Sequence, residues 1–103
     1  MALRIAHERS FTHPVHAAGG ESFKAEFVIL PDDDLGGDGG TGPEAEKATL
    51  RRIVVGLSEI EGADGKEVPF DAAVLETVIG FFDLRIALLR AYNEGRLEAR
   101  RGN

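Results

Sequence analysis

The residues that could do chemistry are few, and their spacing fits no complete site. Gly37-Asp38-Gly39-Gly40-Thr41-Gly42 matches G-x-G-x-x-G and precedes an expected helix. In a dinucleotide-binding fold that spacing brings backbone N–H groups to a pyrophosphate, but only where a strand runs directly into the first glycine. Here Asp32-Asp33-Asp34 intervenes, and its carboxylates repel a phosphate. No G-K-[ST] follows, so a P-loop is excluded. The same stretch holds part of a calcium loop, with Asp32 at position one, Asp34 at three and Gly37 at the tight turn. Gly36 stands in the fifth position and Pro43 where a bidentate Glu belongs, which leaves only weak attraction for cations. His13 and His16 are three residues apart, an odd spacing that puts them on opposite faces of a strand, and His7 adds no H-E-x-x-H helix. Ser10, Ser22 and Ser58 lie outside any G-x-S-x-G elbow. Carboxylate pairs such as Glu59 and Glu61 carry no mark of the burial that raises a general acid's pKa. The expectation is a protein that is not an enzyme, with no catalytic residue, no metal and no cofactor. Arg85 and Arg90 are expected to pair with acids beside an apolar stripe rather than to bind phosphate.

Bulk composition points the same way. The 103 residues suggest a single domain over 1–103, too small to enclose a deep catalytic cleft without a partner chain. A net charge of -6 argues against general affinity for nucleic acid, which rests on clustered Lys and Arg. The absence of cysteine excludes disulfides, thiolate zinc sites and a thiol nucleophile, and fits a reducing cytoplasm. No apolar run approaches the ~20 residues that span a bilayer, and Met1 to Ser10 lacks the apolar core of a signal peptide.

The elements that would position any site follow from periodicity. Phe23, Ala25, Phe27 and Ile29 alternate with Lys24, Glu26 and Val28, the period of a half-buried strand. A first strand over residues 9–17 joins it through the turn Ala18-Gly19-Gly20-Glu21, and Pro14 marks that strand as an edge. Residues 32–42 are acidic and Gly-rich and are expected to form a flexible loop. A first helix is expected near Pro43, capped by Thr41 or Gly42, with Leu50, Ile53, Val54 and Leu57 along one apolar face. Asp64-Gly65 predicts a short hairpin or ordered loop within 58–69. Asp71 caps a second helix that buries Val74, Leu75, Val78 and Ile79 and breaks at Gly80. Asp83 is expected to cap a third helix that runs to about Glu98, with Leu84, Leu88, Ala91 and Tyr92 in one stripe and Gly95 interrupting at modest cost. The fold class is therefore α+β: an N-terminal antiparallel β-hairpin, then about three α-helices with a short ordered turn.

Several stretches carry a resemblance. Phe23-Lys24-Ala25-Glu26-Phe27 with Ile29-Leu30-Pro31 resembles the F-x-A-x-F-x-x-L-P segment of phage tail assembly chaperones. Arg51-Arg52-Ile53-Val54-Val55-Gly56-Leu57 is similar to their V-V-G-W helix end, with Leu57 at the aromatic position. Ile60-Glu61-Gly62 through Asp64-Gly65-Lys66-Glu67-Val68-Pro69-Phe70 resembles their V-x-D-E-D-G-x-P-L-P-F turn, and Ala87-Leu88 with Arg90-Ala91-Tyr92 their closing A-L-x-x-A-Y stretch. The likeness spans residues 9 to 93. It implies a phage or prophage protein of the host cytoplasm that binds the tape measure protein, keeps it soluble and helps recruit tail tube subunits. A helical client with exposed apolar stripes calls for an apolar groove, for which Phe81, Phe82, Leu84, Leu88 and Tyr92 are the candidate anchors. Helical spacing also assigns Leu84 and Leu88 to the core, and adjacent Phe81 and Phe82 cannot both point inward. The edge strand offers a route to homo-oligomers. Other roles consistent with these residues are a head–tail connector or minor tail component, or a small protein-binding regulator.

Overall fold

The alternation along the N-terminal segment produces the expected hairpin. In the computed structural model, which describes residues 9–30 and 42–101, β1 (Arg9–His16) pairs antiparallel with β2 (Ser22–Ile29) in the register Phe11↔Phe27 and Val15↔Phe23. The turn closes through Ala17 N–H to Glu21 O (2.8 Å) and Gly20 N–H to Ala17 O (3.1 Å), with Gly20 at φ 95°, a conformation that favours glycine. Phe23, Ala25 and Phe27 are buried, while Ser22, Lys24 and Glu26 face solvent. The loop expected over 32–42, the glycine motif and calcium-like positions up to Thr41, and His7 lie outside the described residues.

Helix α1 (Pro43–Ile53) starts as its sequence dictates. Gly42 precedes it, Pro43 occupies the first turn, and Glu44 and Glu46 face the positive end of the dipole. Leu50 and Ile53 are fully buried. The apolar face expected to continue through Val54 and Leu57 does not belong to the helix. Val54–Ser58 is a strand, β3, antiparallel to β2, and the sheet order is β1-β2-β3. The register shifts between Glu26 and Phe27: Gly56 lies opposite Glu26 and Val54 opposite Phe27, so Val55 is an extra, bulged residue. The bulge turns both Val54 and Leu57 into the core and leaves Val55 exposed. Their three-residue spacing thus comes from a bulged strand, and it imitates helical periodicity.

Residues 59–70 form the ordered turn, with a bridge at Glu61↔Glu67 and Val68 N–H to Ile60 O at 2.7 Å. Asp71 caps α2 (Ala72–Ile79), its Oδ1 accepting from the Val74 N–H at 2.9 Å, and Gly80 ends it. Helix α3 (Phe82–Arg101) begins two residues earlier than a cap at Asp83 would place it, so Asp83 lies inside the first turn rather than at the cap. It continues unbroken through Gly95 and beyond Glu98. The helices pack on one face of the sheet around a core of Val15, Phe27, Leu50, Ile53, Ile79 and Leu88. Ser10, Thr12, Pro14 and His16 line the open face.

Two contacts lock this arrangement. Phe11, Phe27 and Tyr92 form an aromatic triangle with centroid separations of 5.4, 5.5 and 6.0 Å. Gly95, one helical turn along from Tyr92, is buried where Phe11 and His13 approach the helix backbone. On the opposite side, Arg51 of α1 makes a two-pronged bond to Glu76 of α2, both at 2.8 Å. The hydrogen bonds from Arg51 hold the Glu76 carboxyl below its usual pKa and raise that of the guanidinium in turn. No helix among the described residues is long and apolar enough to cross a membrane.

Candidate functional site: an exposed aromatic corner

Only Gly80 and Phe81 separate α2 from α3. The Phe81 N–H bonds back to Val78 O at 3.2 Å, and the Phe81 carbonyl accepts the Arg85 N–H at 2.9 Å, so Phe81 holds the position before the first residue of α3. That position favours Ser, Thr, Asp or Asn, whose side chains can satisfy free helix N–H groups. Here two phenylalanines occupy it and the next, with 57% of Phe81 and 68% of Phe82 exposed. Local rules are broken without a gain in packing, and such departures concentrate at functional positions.

Arg85, one turn into α3, braces the corner. Arg85 is buried, its Nε donating to Glu46 Oε1 at 2.9 Å and its Nη1 to the Ile79 carbonyl at 3.0 Å. One side chain thus ties α1, the end of α2 and α3 together. Its guanidinium also sits 5.6 Å from the Phe82 ring centroid, a cation–π distance that orients the ring. The expected pairing of Arg85 with an acid is realised, but its three-way role is not visible in spacing, because Glu46 lies 39 residues away in sequence.

The five candidate anchors separate. Phe81 and Phe82 stand together at the corner, both outward. Leu84 is half-buried, packs against the core and lines a neighbouring cleft. Leu88 and Tyr92 are buried, at 0% and 4% exposure, in the core. The helical stripe that suggested a groove therefore faces the sheet, and Leu88 and Tyr92 have no surface to offer a partner. The Tyr92 hydroxyl is buried without a hydrogen-bond partner among the described residues.

His13 is half-buried, its Nδ1–H donating to the Pro14 carbonyl at 2.8 Å, and His16 is exposed. Among the described residues no group of His, Cys, Asp or Glu is placed to hold a metal ion. No protein-family model, curated protein or solved structure matches the chain.

Proposed function

We propose that this chain is a protein-binding module of phage tail assembly, a chaperone that holds the tape measure protein soluble, and that Phe81 and Phe82 are its client contacts. The observation that carries the reading is the exposed phenylalanine pair at the α2–α3 corner, held in place by buried Arg85. The order of sequence stretches over residues 9 to 93 that resembles tail assembly chaperones supports it. The mechanism is physical: the two rings cover an apolar stripe of the client helix while the acidic surface, at net charge -6, keeps the pair hydrated. Each phenylalanine is more than half exposed, so covering both contributes about 2–3 kcal/mol, or roughly 30- to 140-fold in affinity. Tail tube subunits would be recruited by the complex in the host cytoplasm. The edge strand β1 supplies a route to homo-oligomers, narrowed because Pro14 lacks an N–H and His13 occupies its carbonyl.

Co-expression with the long helical tail protein of the same genetic element tests this. The client stays soluble and co-purifies with the wild-type chain, and Phe81→Ser with Phe82→Ser returns it to the pellet. A client that aggregates equally with and without the chain refutes the proposal. Retention of the chain in purified particles would instead assign it to the connector or the tail structure.

A further inference from the structure

A second surface, beside the aromatic corner, has the chemistry of a binding groove. A cleft of ≈ 700 Å³ opens between the start of β2, the ordered turn after β3, α2 and α3. Its apolar floor is Phe23, Ile60, Val78 and Leu84. A second depression of ≈ 340 Å³ shares Ile60, Glu61 and Val78 with the first and extends the apolar surface to Val68 and Val74. The two adjoin at Ile60, Glu61 and Val78 and together make up the trough.

The rim is acidic. Glu21, Glu61 and Glu67 line the larger cleft, and none has a cationic partner among the described residues. Glu59, also on the rim, is neutralised by Lys24 at 3.2 Å. These carboxylates are not arranged around a point, since no metal-holding group exists among the described residues. They flank a strip of carbon.

We infer that this trough binds an amphipathic α-helix of another protein, with an apolar stripe flanked by Lys and Arg. The argument has two parts. A floor built of side-chain carbon gives an incoming segment few backbone partners, so the segment must satisfy its own N–H and C=O groups, as a helix does. The three carboxylates beside that floor, unpaired among the described residues, repel an acidic or phosphorylated ligand and attract a basic one. The inference stands apart from the tail-assembly reading: a chain that binds such a helix but fails to rescue the tape measure protein keeps the groove and loses the proposed function.

The test uses the whole chain and a labelled synthetic peptide of about 18 residues, five turns of helix, with Leu at i, i+3, i+4 and i+7 and Lys or Arg beside the stripe. A second peptide keeps the Leu positions and replaces every Lys and Arg with Glu. Fluorescence anisotropy reads affinity, and amide NMR shifts locate the site. The basic peptide is expected to bind and to shift Ile60, Glu61, Val78 and Leu84; the acidic peptide is expected not to bind. Combining Glu21→Gln, Glu61→Gln and Glu67→Gln, all exposed and remote from the core, should weaken binding about tenfold. Equal binding by the triple variant, equal binding of the acidic peptide, or shifts confined to Phe81 and Phe82 each overturn the inference. So does a wild-type chain that already dimerises through Ile60 and Leu84, which would give the trough to a second copy.

Discussion

Gly95→Ala separates the structure from helix propensity in sign. In a helix interior, Gly to Ala stabilises by about 1 kcal/mol. Gly95 lies inside the twenty-residue α3, so propensity alone predicts a more stable protein. Packing predicts the reverse. A methyl group at Gly95 would lie 2.8 Å from Phe11 Cδ2 and 3.0 Å from His13 Cδ2, with Phe11 Cε2 closer still. Carbon atoms prefer about 3.5–4.0 Å. The ring cannot retreat freely, because it packs against Phe27 and Tyr92. Rotating it out gives up aromatic burial, and leaving it in place forces β1 off the helix; overpacking of this kind costs about 1–3 kcal/mol. The net expectation is a loss of about 0–2 kcal/mol, and a loss at the middle of that range lowers Tm by roughly 4–8 °C for a domain of this size. Urea denaturation followed by circular dichroism measures it. In a Phe11→Leu background the penalty of Gly95→Ala should shrink, a coupling of about 0.5–3 kcal/mol. If Gly95→Ala raises the midpoint, the close approach of β1 to α3 is wrong.

Other substitutions probe single contacts. Arg85→Met strands Glu46 and the Ile79 carbonyl and should destabilise by about 2–4 kcal/mol, read from the urea midpoint. Tyr92→Phe removes a hydroxyl that has no partner among the described residues, so stability should hold or rise by about 1 kcal/mol; a clear loss would reveal a bond to the remainder of the chain. Glu76 has its pKa lowered by the Arg51 hydrogen bonds, so its contribution is complete above the ordinary carboxylate value of 4.5 and disappears as pH falls through the depressed one. Thermal melts should show wild type above Glu76→Gln at about pH 7, with the gap narrowing as the pH falls below the ordinary carboxylate value.

Much of the fold was legible. The hairpin, its turn, the Asp71 cap and the Gly80 break rest on local rules that tertiary packing did not override. β3 was not legible as a strand, because the bulge at Val55 gives Val54 and Leu57 the spacing of a helix. The run Ile53-Val54-Val55-Gly56, three β-branched residues and a glycine, was the available contrary signal. Gly95 looked like a flaw in the helix because its reason lies on β1, more than eighty residues earlier in the chain. The candidate site was half legible. Phe81 and Phe82 are exposed, but the stripe below them serves the core, and the acidic trough joins segments from four parts of the chain that no motif connects.

The partnership of β1 with α3 also determines when the protein can fold. Phe11 and Phe27 leave the ribosome first, and the ring that completes their triangle, Tyr92, and the glycine that lets the helix approach follow more than sixty residues later. Until then the nascent hairpin presents three phenylalanines and an open strand edge to the cell, a state prone to aggregation. Closure joins residues far apart in sequence, so the last step is a slow, long-range docking. Synthesis from a message stalled before Tyr92 should therefore yield a protease-sensitive chain, and protection should arrive in one step once α3 emerges.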